Sequence, residues 1–95
     1  MLTISNAASE AIHTMLRVPG VPPEGGVRVQ YATDHQRLSI LLVAGPIVGD
    51  LRYDAGDGAS LYVAAEVAER IRDKTFDAKR NDKGRMQFVL HGAGH

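Results

Sequence analysis

The chain is 95 residues long and carries eleven basic and eleven acidic side chains, with a pI near 6.9. That length allows one domain with a modest core, the 44% apolar and 23% charged content excludes disorder, and neutrality removes the basic face on which nucleic-acid affinity rests. With no cysteine, disulfides, thiolate nucleophiles and thiolate metal ligands are excluded.

Leu2 and Ile4 predict a brief extended lead-in without the basic start or long apolar run of a signal peptide. No apolar stretch approaches the roughly 20 residues of a membrane helix, so a cytoplasmic protein is expected. Ser5 suits a helix N-cap, because its hydroxyl accepts from an otherwise orphan backbone N–H. Ala7, Ala8, Ala11, Ile12, Met15 and Leu16 recur at spacings of three and four, laying one apolar stripe along a helix to about Arg17. Asn6, Ser9, Glu10 and His13 fall on the other side, where His13 is expected to be solvated. Pro19 and Gly20 end the helix, and residues 21–26 form an exposed connector.

Val27, Val29 and Tyr31 alternate with Arg28, Gln30 and Ala32, the period-two pattern of a strand with one buried face. The next run, Leu38 to Val43, is apolar almost throughout and reads as a central strand covered on both sides. Between them lies a polar tip, Thr33, Asp34, His35, Gln36 and Arg37. Ala44-Gly45-Pro46 breaks the second strand, and Leu51, Arg52 and Tyr53 predict a third. Residues 54–58 are rich in turn formers, after which Ser60-Leu61-Tyr62-Val63 returns as a fourth strand. From Ala64 to Asp73 the pattern is helical again, with Val67, Ala68 and Ile71 inward. Glu66 and Arg70 sit four apart there, an exposed pair worth about 0.3–0.5 kcal/mol. Phe76 and Ala78 then precede the turn Asn81-Asp82-Lys83-Gly84, with Met86, Phe88 and Leu90 alternating beyond it. The tail, residues 91–95, is expected to fray. Consecutive strands on short turns favour antiparallel pairing. The expected fold is a single α+β, β-rich domain over residues 1–95, with six to seven short strands and two short helices packed on the sheet.

Few residues promise chemistry. His35 at the tip with His91 and His95 in the tail would form a weak transition-metal site if the terminus folded back. Histidine pairs without carboxylate or cysteine company are weak signals, and a glycine-rich tail explains two of them as well. Residues 45–49 lack the Lys-Ser/Thr of a phosphate loop. Asp50, Asp54 and Asp57 lack EF-hand spacing and fit turn chemistry better. Ser39 and Ser60 have no elbow motif and no assured base, so no hydrolase triad is read. Arg28, Arg37, Arg52 and Arg85 are expected on a solvated face. Accordingly no catalytic, cofactor-binding or metal residue is assigned.

The order of elements, with particular residues, resembles the HesB/IscA-like family of A-type iron–sulfur cluster carriers. Leu2-Thr3-Ile4-Ser5 with Ala8, Ile12 and Leu16 is similar to that family's opening, and Gly26-Val27-Arg28-Val29 to its GLRL strand. Leu38 to Pro46 falls where its second strand ends in a proline. Residues 57–63, Asp-Gly-Ala-Ser-Leu-Tyr-Val, resemble its DGVKVFVD strand. The likeness covers roughly residues 2 to 90. The family's members hold a cluster or iron through one cysteine at the tip of the central hairpin and a Cys-Gly-Cys pair near the C-terminus. Here the first falls in Thr33-Asp34-His35, and an ordinary hairpin runs from Asn81 to Leu90 in place of the pair. The resemblance therefore implies the fold and the ancestry without the ligand set.

Together these readings predict a non-catalytic binding or assembly module without cofactor, nucleic acid or membrane, acting with another protein or as a homo-oligomer. A homodimer through the middle hairpins, including Leu51 or Tyr53, is expected from their uncovered apolar surface. Leu42, taken as mid-strand and buried, is expected to be among the most damaging positions to truncate, and Asp34 at the tip among the least.

Overall fold

The computed structural model describes residues 2–33 and 38–92. Within them the chain runs β1 (Thr3–Ile4), α1 (Asn6–Met15), β2 (Gly26–Tyr31), β3 (Leu38–Val43), β4 (Leu51–Asp54), β5 (Ser60–Val63), α2 (Ala65–Ile71), β6 (Thr75–Arg80) and β7 (Met86–His91). The strands form a three-stranded sheet in the order β1-β6-β7 and a four-stranded sheet in the order β3-β2-β5-β4. The fold is α+β and β-rich, as expected.

Ser5 caps α1, with extended backbone and its hydroxyl accepting from the Ala8 N–H at 3.0 Å. The alanine-rich stripe buries Ala8, Ala11 and Ile12, and the helix closes at Leu16, just short of the expected Arg17. In α2, Val67, Ala68 and Ile71 face inward as their spacing requires. Its Arg70 stands 5.7 Å over the ring of Tyr31 at the end of β2, a cation–π contact that holds the helix to the strand.

The three hairpins pair antiparallel, β2 with β3, β4 with β5, and β6 with β7. Wholly antiparallel pairing, however, does not hold. β2 runs parallel to β5, with Val27 opposite Leu61 and Val29 opposite Val63, and β1 runs parallel to β6. The four-stranded sheet is mixed because the second hairpin docks β5 between β2 and β4, and the three-stranded sheet because β1 lies along β6. Gly26 makes the contact possible: a Cβ there would stand 2.6 Å from the Ser60 carbonyl oxygen.

This insertion also displaces β3. The run read as a central, doubly covered strand is the edge of the four-stranded sheet, and Leu41 and Leu42 are 39% and 38% exposed. An edge strand has one neighbour instead of two, and apolar content cannot supply the missing one. Only Leu38 and Ile40 reach the core from β3. The centre belongs to β2 and β5. Their Val27, Val29, Leu61 and Val63 are fully buried together with Ile12, Val67, Ile71 and Phe76. Phe76 and Phe88 stack with centroids 4.9 Å apart, joining β6 to β7 under the same core.

Candidate functional site

Arg28 and Arg52 lie on either side of Tyr62 in the register of β2, β5 and β4, so they share the sheet face turned away from the valines. The solvated face expected there holds for Arg52, which is exposed, and fails at Arg28. Arg28 is 8% exposed and faces the Asp50 carboxylate, 2% exposed, from which Nε and Nη2 stand 2.9 and 3.0 Å. Its Nη1 donates to Gln30, and the Ile47 N–H donates to Asp50 at 2.9 Å. The hydrogen bonds from Arg28 hold the Asp50 carboxyl below the usual carboxylate range, aided by the Ile47 N–H and opposed by burial. The reciprocal bond raises Arg28, which stays charged. Nearby the Arg52 Nε donates to the Ser60 hydroxyl at 2.8 Å, and the Tyr62 hydroxyl to the Glu24 carbonyl at 2.6 Å. With Nε and Nη2 on Asp50 and Nη1 on Gln30, this pair fastens the chain after β3 across the sheet.

His13 is half-buried, not solvated. Its Nδ1 lies 2.7 Å from the Ser9 carbonyl oxygen and its Nε2 2.8 Å from that of Gly56. Both partners only accept, so a ring protonated at both nitrogens satisfies both and a neutral ring satisfies one. The Ser9 hydroxyl donates to the Ala55 carbonyl from the same helix face. The two side chains pin α1 to the turn between β4 and β5, where Gly56, Asp57 and Gly58 all take positive φ.

The aspartates singled out by the sequence serve such turns. Asp50 holds Arg28, the Asp54 carboxylate accepts from the Gly56 N–H at 2.9 Å, and Asp57 sits at φ 51°. Residues 45–49 form a loop closed by the Asp50 N–H on the Ile47 carbonyl. Ser39 lies opposite Gln30 on the edge, and Arg85 follows the last turn, where its N–H donates to Asn81.

Of the histidine set, His91 alone lies among the described residues. His35 and His95 lie outside them, as do Asp34 and Arg37 at the tip. His91, expected in the tail, is the last residue of β7 opposite Thr75, and its Nε2 stands 3.1 Å from Asp77 Oδ2. The other Asp77 oxygen accepts from the Ser5 hydroxyl at 2.5 Å and the Ala78 N–H at 2.8 Å. Those bonds, the Ser5 hydroxyl first, depress the Asp77 carboxyl below its ordinary range. The carboxylate thus stands between serine and histidine, so His91 does not reach the hydroxyl. It locks the α1 N-cap to β6. Among the described residues no three His, Asp or Glu side chains gather as a metal site.

A cleft of about 860 Å³ lies between the second half of α1 and the β6–β7 hairpin. Met15, Leu16 and Phe88 give it apolar walls, while Glu10, Arg17 and Arg80 bring both signs of charge to its rim. Sequence reasoning missed Arg28–Asp50, Ser5–Asp77 and the His13–Gly56 contact, because each joins residues at least 22 positions apart that only the folded chain brings together.

Comparison with known proteins places this geometry. Neither a protein-family model nor a curated protein matches the chain. Among solved structures, it is similar to Escherichia coli SufA, described as involved in biosynthesis of iron–sulfur clusters. The TM-score is 0.71 at 27% identity, covering 96% of this chain and 84% of that one. An IscA crystallised with its [2Fe–2S] cluster superposes with a TM-score of 0.67 at 26% identity, covering 97% and 85%. The chain therefore has the HesB/IscA-like fold of the A-type iron–sulfur carriers. It is a version of that fold without a cysteine. The donor set does not fit a cluster held by thiolates, since the 95 residues supply none.

Proposed function

We propose that the chain is a non-catalytic binding and assembly module, linked to iron–sulfur cluster assembly by descent and acting without cysteine ligation of a cluster. The observation that carries this reading is the full-length likeness to IscA and SufA in a chain whose composition lacks the thiolate. Support comes from the polar groups as well: Arg28–Asp50, Ser5–Asp77 and His13 are spent on joining elements. The working contacts are then made by surface, with further copies of the chain or with a protein partner, in the cytoplasm. No helix among the described residues is long and apolar enough to cross a membrane.

Anaerobic reconstitution with iron and sulfide tests the cluster part. The protein is expected to emerge from desalting colourless, without visible charge-transfer absorbance. A stoichiometric cluster that survives desalting would overturn the proposal. Calorimetric titration with zinc, nickel and ferrous iron, on the chain with and without His91→Ala, reads any histidine site in the same samples.

A further inference from the structure

The four-stranded sheet ends in two edges of unlike chemistry. β4, the strand expected to carry a dimer through Leu51 or Tyr53, has Arg52 and Asp54 among its four residues. Its Leu51 is exposed between the loop and Arg52, and its Tyr53 packs against the core. β3 is Leu-Ser-Ile-Leu-Leu-Val, six residues with no charge, proline or glycine. Its register with β2 runs unbroken from Gly26–Val43 to Tyr31–Leu38, so no bulge bends it away. Charges, prolines, bulges and short length are the devices that keep an edge from pairing with another chain, and β3 has none of them. Successive residues point to opposite faces, so Leu41 and Leu42 expose apolar surface on both sides of this edge. Leu41 lies beside Arg28 in the register, and Asp50 ties the turn bearing Ile47 and Val48 to that same Arg28. Ile47 is 57% exposed and Val48 fully so, which extends the apolar strip beyond the strand.

Resting on the self-association proposed above, we infer that β3 is the surface through which two copies of this chain join, strand to antiparallel strand about a two-fold axis. Charge complementarity selects this occupant. An uncharged edge desolvates no ion only against another uncharged edge. β7, the free edge of the other sheet, also lacks Asp, Glu, Lys and Arg, but it ends in His91 beside the Asp77 carboxylate. A contact between the unlike edges β3 and β7 would not close after two copies, whereas β3 against β3 meets both requirements. Pairing with the β4 edge of a neighbour would instead bring Arg52 and Asp54 against leucine. A two-fold contact is self-complementary and closes after two copies. Six residues give a shared ladder about 20 Å long, and the two sheets become one of eight strands.

The test uses the full chain. Light scattering across the micromolar range is expected to give twice the 10.2 kDa chain mass. Hydrogen exchange of the residue 38–43 amides in the wild type is expected to speed up on dilution, while amides of β5 hold. Leu41→Lys with Leu42→Lys sets like charges across the joined strands, and should raise the dissociation constant at least roughly tenfold with circular dichroism unchanged. Leu51→Lys, on the far edge, should leave it unchanged. If the mass is that of one chain at every concentration, self-association itself fails. If the dimer forms but β3 exchange ignores dilution, or only Leu51→Lys breaks the dimer, self-association stands and the β3 assignment is overturned.

Discussion

β3 and β5 are apolar strands of one sheet, yet they meet opposite fates. Five of the six β3 residues are large aliphatics, and its Leu41 and Leu42 are more than a third exposed. β5 holds only Ser60, Leu61, Tyr62 and Val63, and all four are buried. Arg28 on β2, a charged residue, is far less exposed than either β3 leucine. The difference is one of neighbours. β2 and β5 are flanked on both sides, with the helices over one face and the 44–50 loop tied to the other through Asp50, whereas β3 is flanked once. Burial here follows place in the pairing order, and hydropathy along a single strand does not report that place.

The largest expected effect is therefore at the centre. Leu61→Ala removes a fully buried side chain and should cost about 3–4 kcal/mol in urea unfolding, within the range for leucine truncation in cores. An unchanged midpoint would show that β5 is not where the core lies.

Asp50→Ala comes next, because it strands a buried guanidinium. Breaking such a pair on one side costs about 3 kcal/mol, and the effect has a pH signature. The Asp50 carboxyl is depressed in the folded chain, so its contribution is fully present above the ordinary aspartate range near pH 3.9 and is lost as pH falls through the depressed value. Asp77, held low by Ser5, has the same sign. Wild-type stability should thus fall as pH drops below about 4, and Asp50→Ala should flatten that fall. A variant whose acid limb matches the wild type would place the Arg28 pair outside the stability balance.

His13→Ala is smaller, since it removes one cross-link between α1 and the β4–β5 turn. The Gly56 carbonyl it leaves lies near solvent, so the loss should be about 1 kcal/mol. Amide exchange should rise first at Ala55 and Ala59, whose N–H groups close that turn. Faster exchange confined to the α1 N-terminus would mean that His13 acts only within its own helix.

The sequence displayed what is local. The Ser5 cap, the stripe of α1, the inward face of α2 and the Asn81–Gly84 turn each depend on residues within a few positions, and period and turn chemistry suffice for them. The parallel registers of β1 with β6 and β2 with β5 are set by three-dimensional closure, and no spacing announces them. Two of the missed groups follow from those registers: Ser5 meets Asp77 because β1 lies along β6, and Arg28 is covered because β5 stands beside β2. The third, His13 on Gly56, follows from the packing of α1 on the β4–β5 turn. The family likeness carried what local reading could not. It implied the fold without the ligand set, since a fold is held by many weak contacts and a cluster by a few thiolates.

The smallest effect is the most discriminating. Leu42→Ala trims a side chain that is 38% exposed and stands outside the core cluster. Measured on the dissociated chain, below micromolar concentration, it should cost under about 1 kcal/mol, well short of Leu61→Ala. Measured where the chain self-associates, the same substitution also removes apolar contact between joined β3 strands. Its apparent cost should then grow with protein concentration, because anything that binds only the folded state adds stability by mass action. Leu61→Ala, buried within one chain, should show the same cost at both concentrations once the wild-type dimer contribution is subtracted. A concentration-independent Leu42→Ala would leave β3 an ordinary edge strand. A large cost in the dissociated chain would instead return Leu42 to the core and undo the contrast between the two strands.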